Sequence, residues 1–159
     1  MIIFLPVGRE EARALRDGVD LGGQRGCAPT ASLRAGLGAE TSSEEAEFAA
    51  LNNAGVLAVL INSDPRRLVL AADVEPAQTT DLGSSYGEIS ATEVAWPQVA
   101  ALFADAPEAA AALDRARQAT VDGRNACTLP QAMITSEVAE LLDSHDLLWF
   151  SPEELDHLD

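Results

Sequence analysis

The sequence predicts an α+β domain of two layers, with helices packed on one mixed β-sheet of about four to five strands. Three observations predict it. Two apolar runs, residues 2–7 and 67–74, have the length and near-continuous hydrophobicity of buried strands. A capped, strongly apolar segment over residues 42–61 has the length of a core helix. The elements follow in the order β-α-α-β-β-(β)-α-α-β-α, with no internal repeat, heptad run or long linker. All 159 residues (1–159) fit one globular domain, a size that buries roughly 70% of its unfolded surface.

Residues 2–7 end at Pro6 and Gly8 and read as a strand buried on both faces. Residues 9–17 read as a helix, with Ala12 and Leu15 turned inward and Gly18 as its stop. Arg9, Arg13 and Arg16 recur at helical spacing and so share one face. Residues 18–28 carry Gly18, Gly22, Gly23 and Gly26 and read as a glycine-rich loop. A short helix is expected over residues 30–35.

Ser42 and Glu45 then form a capping box, and Glu44, Glu45 and Glu47 suit the positive end of the helix dipole. Phe48, Leu51, Ala54, Leu57, Ala58 and Ile61 make an apolar stripe. Residues 56–61 are apolar all round, which marks this as the central core helix. Residues 62–65 end it at Pro65.

The strand at 67–74 is followed by a polar loop. Residues 86–95 alternate weakly as a strand. Residues 99–104, after Trp96 and Pro97, have strand length although their alanines allow a helix. Residues 107–119 read as a helix with Pro107 near its first position. Asp122 and Gly123 read as a turn. Ile134, Val138, Leu141 and Leu142 give residues 130–143 a helical stripe. Residues 146–150 are a short strand candidate. Ser151 and Glu154 form a second capping box with Pro152 at the first position, so a final helix runs to about residue 158.

Charge excludes several functions. The chain has 26 acidic and ten basic side chains, a net charge of -16, and every basic residue is arginine. Direct nucleic-acid binding needs a basic face to neutralise phosphate, and anionic lipid needs the same. A hydrophobic content of 47% excludes a disordered acidic tail. With 29 alanines and no lysine, the composition suits a GC-rich genome or a salt-loving host. The charge is also uneven. Residues 1–38 hold five arginines and four acids, residues 39–159 five arginines and 22 acids, and after Arg124 come eight acids and no arginine. An anion could therefore bind only near Arg9, Arg13 and Arg16.

Cys27 and Cys127 lie far apart in sequence, outside any CxxC or zinc spacing, and are expected to be reduced thiols. The first residues lack the basic region of a signal peptide, and no apolar run approaches the roughly 18 residues of a membrane span. A cytoplasmic location without a membrane partner is the expectation.

Several segments carry a resemblance. They are Ile3 to Pro6 ending the first strand, Leu68 to Val74, Val94-Ala-Trp-Pro-Gln-Val99 leading to Asp105, and Leu147 to Phe150. In this order and spacing the chain resembles an uncharacterised family of short actinobacterial proteins, a domain of unknown function, over most of its length. It departs at Gly8, where the family pattern has Thr. The resemblance implies a shared fold and no activity.

The candidate sites each have a plain structural alternative. Asp73 and Asp105 end apolar segments, where a carboxylate can be a general base or metal ligand, or can cap a turn or hold an arginine. Placed side by side, one of them would have a raised pKa. His145 could pair with Cys27 or Cys127 as a nucleophile–base couple. The clusters Asp143, His145, Asp146 and Asp156, His157, Asp159 have the right atoms for a metal, but neighbours in sequence seldom converge on one ion. No G-x-S-x-G elbow or P-loop is present, so no cofactor and no metal are expected. Arg9, Arg13 and Arg16 either pair with the acidic remainder or bind an anionic molecule. Trp96 and Trp149 read as core or sheet-packing residues, with Trp149 an alternative interface residue.

The leading expectation is a cytoplasmic, non-enzymatic interaction or regulatory module whose acidic surface meets a basic protein, mimicry of nucleic-acid charge being one version. The second is a small hydrolase-like enzyme using Asp73 and Asp105 with Arg9 as an anion clamp. The third is a homo-oligomeric structural protein that self-associates by burying Trp149 and Phe150.

Overall fold

The computed structural model describes residues 1–122 and 125–158. Its elements in chain order are β1 (Ile2–Pro6), α1 (Arg9–Arg16), β2 (Gln24–Cys27), α2 (Ala31–Leu37), α3 (Ser43–Ile61), β3 (Leu68–Asp73), β4 (Thr79–Asp81), β5 (Glu88–Ala91) and β6 (Val99–Ala104). They continue with α4 (Ala110–Thr120), the two-residue strands β7 (Val121–Asp122) and β8 (Asn125–Ala126), α5 (Leu129–Met133), α6 (Ser136–Ser144) and β9 (Leu148–Phe150). Short 3-10 turns at Pro76–Gln78, Trp96–Gln98, Pro107–Ala109 and Pro152–His157 join them. Gly123, half of the expected turn, lies outside the described residues.

The apolar runs β1 and β3 form the centre of a seven-stranded sheet in the order β4-β5-β2-β1-β3-β6-β9. Every neighbouring pair is antiparallel, so the sheet is not the mixed one expected. Hydrophobic patterning records which residues are buried and not the direction in which strands pair, which is why the sequence left this open.

Seven strands stand where about four to five were expected, and the two extra ones come from segments read as loops. β2 falls in the glycine-rich stretch. A Cβ on Gly26 would collide with the Phe4 carbonyl oxygen and lie 2.7 Å from Leu5 Cδ2, so glycine is what lets β2 lie against β1. β4 reads as a loop because it is polar and only three residues long, with its outer edge unpaired in the sheet.

Helical segments cover both faces of the sheet, which replaces the expected two layers by three. Ile3, Leu5, Leu70, Ala72 and Leu102 face Ala12 and Leu15 of α1 together with Leu155 and Leu158 of the C-terminal turn. Their neighbours Phe4, Val69, Ala71 and Ala101 face α3, α4, α5 and α6. This alternation is the period-two pattern of a strand with two buried faces.

The Ser42–Glu45 capping box is present, with Glu45 N donating to Ser42 Oγ at 3.1 Å and Ser42 N to Glu45 Oε2 at 3.2 Å. Residues 53–59 of α3 are buried all round, while Phe48 and Ile61 of the expected stripe are exposed. The stretch read as one helix over 130–143 divides into α5 and α6, leaving Ile134 exposed between them. Among the described residues, no helix is long and apolar enough to cross a membrane.

Candidate functional site

Asp105 follows β6 and is buried at 1% exposure. Its two carboxylate oxygens accept from Arg67, Oδ1 from Nη2 at 2.7 Å and Oδ2 from Nε at 2.9 Å. Oδ2 also accepts the Arg67 backbone N–H at 3.0 Å. The Asp105 carbonyl oxygen accepts from Arg66 Nε at 2.7 Å. Arg67 is equally buried, and its Nη2 also donates to the carbonyl oxygen of His145 at 3.1 Å. A Cβ on Gly55 would lie 3.1 Å from Arg67 Nη1, so glycine in α3 makes room for the guanidinium. Sequence reading missed Arg67. The available signal was an arginine opening one apolar strand and an aspartate closing another, which meet when the two strands run antiparallel.

Asp73 lies at the opposite end of the same strand pair. Leu68 stands across from Ala104 and Ala72 across from Val99, so Asp73, the last residue of β3, and Asp105, just past β6, sit at opposite ends of the strand pair. That separation is roughly the 17 Å length of such a strand. Asp73 is exposed and pairs with the Met1 amino group at 2.8 Å. The two carboxylates therefore do not converge, contrary to the expectation of a paired acid–base site. His145 sits at the Asp105 end and contributes there through its main-chain carbonyl. Cys27 is fully buried, and burial, reinforced by Glu88 and opposed by Arg25, pushes its thiol up to about 12. That thiol is unsuited to the nucleophile–base couple considered for it. Among the described residues, no three His, Cys, Asp or Glu side chains gather as a metal site, and Asp159 of the second acidic cluster lies outside them.

Arg9, Arg13 and Arg16 do share one face of α1, and that face meets the C-terminal turn. Arg9 Nη2 donates to the Leu158 carbonyl oxygen at 2.6 Å. Arg13 donates to Glu10 at 3.0 Å and has its Nε 3.6 Å from Asp156. Arg16 Nη1 donates to Asp156 Oδ2 at 2.9 Å. The Asp156 carboxyl is held below its ordinary value, first by this hydrogen bond. The arginines thus fasten the chain's end to α1.

Trp149 is central in β9, an end strand of the sheet, and is 61% exposed. It is not the core residue expected. Phe150 beside it packs inward against the core, as Trp96 does. Leu148 is also exposed, and Asp143, Asp146 and Glu153 around the strand are exposed acids.

Two of the depressions among the described residues are open. A groove of about 530 Å³ runs past Arg25, Ile61, Cys127 and Pro130, and its charges Arg25 and Glu88 are paired at 3.1 Å. A cleft of about 290 Å³ lies between the end of α1 and the Trp96–Gln98 turn.

Fold and site together define a small α+β protein with a buried Arg67–Asp105 ion pair, an exposed edge-strand tryptophan and an acidic excess. The chain belongs to a family of unknown function, DUF6912, which it matches over residues 1–158. No curated protein and no solved structure matches it.

Proposed function

We propose that this protein is a non-enzymatic interaction module that receives an extended, basic segment of a partner protein along the free edge of β9. The observation that carries the reading is Trp149, exposed on an edge strand that pairs on one side only among the described residues, within residues 125–159, which hold eight acids and neither arginine nor lysine. An edge strand offers unpaired backbone groups to a further strand, and a large aromatic side chain beside it supplies the apolar anchor. Surrounding carboxylates favour a basic partner and speed its approach. A second copy of this chain suits the edge less well, because two chains of net charge -16 repel each other. The hydrolase-like reading lacks its pair of carboxylates, since Asp73 and Asp105 lie at opposite ends of β3 and β6.

The test uses two octapeptides, one alternating Arg and Val and one alternating Glu and Val, titrated into the labelled protein at low and high salt. The Arg–Val peptide is expected to shift the amide resonances of Leu148, Trp149 and Phe150, more weakly at high salt, and Trp149→Ser is expected to abolish the response. Equal binding of both peptides, indifference to salt, or shifts confined elsewhere would overturn the reading. So would a concentration-dependent dimer in sedimentation that Trp149→Ser dissolves, which would establish self-association instead.

A further inference from the structure

The cleft between α1 and the Trp96–Gln98 turn has a composition that the architecture does not explain. Its volume, about 290 Å³, is close to the lower bound of roughly 300 Å³ for small-molecule sites. Leu15, Val19, Val94, Trp96 and Pro97 make its apolar walls. Val19 is 52% exposed, an apolar side chain left without cover.

Three charged residues also line the cleft: Arg16, Asp20 and Glu93. The first is compensated, because Arg16 is bonded to Asp156 at 2.9 Å and lies 3.9 Å from Asp17. Asp20 accepts the Gly22 backbone N–H at 2.8 Å, which closes its loop. The Glu93 carboxylate has no partner among the described residues.

Glu93 is also the one non-glycine residue with a positive φ, +56°, among the described residues. That backbone region favours glycine or asparagine. The turn is held there by Gln78, whose Nε2 donates to the Glu93 carbonyl oxygen at 3.0 Å. A glutamate thus stands where its backbone would be better served by another residue, and no internal contact uses its charge.

The remaining electrostatics agree in sign. The cleft adjoins the C-terminal end of α1, the negative end of the helix dipole. An aromatic wall beside an uncompensated carboxylate attracts a soft organic cation through the ring face and the charge together.

The geometry points to a binding site for a small alkylammonium ion, its cationic head between Trp96 and Glu93 and its alkyl part against Val19 and Val94. This site is separate from the β9 edge and does not depend on the reading given for it.

Choline and its neutral isostere 3,3-dimethylbutan-1-ol test the site in a Trp149→Phe protein, where Trp96 is the only indole left to fluoresce. Choline is expected to change the emission saturably, and the alcohol to bind at least about tenfold more weakly. Glu93→Gln should weaken choline about fivefold or more. Glu93→Asn, which also removes the charge, should weaken choline at least as much while melting no lower than its parent, because asparagine suits the left-handed backbone. Equal responses to choline and the alcohol, an unsaturable response, or unchanged choline affinity in Glu93→Gln would each overturn the site.

Discussion

Arg67 and Asp105 are joined by two parallel hydrogen bonds of 2.7 and 2.9 Å with both side chains 1% exposed. A carboxylate taken this far out of water is tolerable only while its counter-ion and hydrogen bonds stay in place. The pair therefore ties the start of β3 to the end of β6 and, through the His145 carbonyl, to the end of α6.

Removing one partner strands the other. Asp105→Ala is expected to lower stability by about 3–5 kcal/mol in urea denaturation, and Arg67→Met by a similar amount. The double variant Arg67→Met with Asp105→Ala should lose much less stability than the sum of the two single losses. Strict additivity would show that the pair does not act as a unit.

Gly26 and Gly36 should respond in opposite ways to alanine. At Gly26 the new methyl meets the Phe4 carbonyl and Leu5, and the expected cost is at least about 1–3 kcal/mol. At Gly36, within α2, it meets open space, and the expected change is a gain of roughly 0.5–1 kcal/mol. Thermal melts of the two variants decide this, and a destabilised Gly36→Ala would contradict it.

The two thiols should differ in reactivity. Cys27 is buried with its pKa pushed up to about 12, whereas Cys127 is half-exposed. Iodoacetamide at pH 8 should leave one adduct, on Cys127, in the native protein and two in urea. Equal labelling of both in native buffer would mean that β2 opens readily.

The contact between α1 and the C-terminal turn should weaken in acid. Asp156 is held below its ordinary value of 3.8, chiefly by the Arg16 hydrogen bond. A carboxyl group with a depressed folded pKa contributes stability above its unfolded pKa and loses it as pH falls through the folded one. Amide exchange over residues 152–158 should therefore accelerate as pH drops below about 4, after correction for the intrinsic pH dependence. Arg16→Met should already show fast exchange at neutral pH and little further change in acid.

The legible parts of the fold are those written in local chemistry. The Ser42–Glu45 box starts α3, and Ser151 with Glu154 starts the last turn, as spacing alone indicates. β1, β3 and β9 follow from their apolar runs. β2 was hidden because Gly26 is present for the approach of another strand, and an isolated glycine-rich sequence looks like a loop. β4 was hidden because a short polar edge strand has no hydrophobic pattern to display.

The candidate sites divide in the same way. That Arg9, Arg13 and Arg16 share a face follows from helical periodicity, but Asp156, which Arg13 and Arg16 meet, lies 140 residues beyond Arg16. Asp105 is recognisable as an acid ending an apolar strand. Its counter-ion Arg67, and its distance from Asp73, follow only from the antiparallel register of β3 and β6.

The sequence by itself determined the α+β class, the central helix, the main strands and the acidic excess of the C-terminal part. These rest on interactions within a few residues or on sums of charge. The tertiary structure alone decided strand direction, the covering of both sheet faces, the burial of Arg67 with Asp105, and the exposure of Trp149. Each of these depends on which distant segments come together to exclude water, and that is fixed by packing across the whole chain rather than by any local pattern.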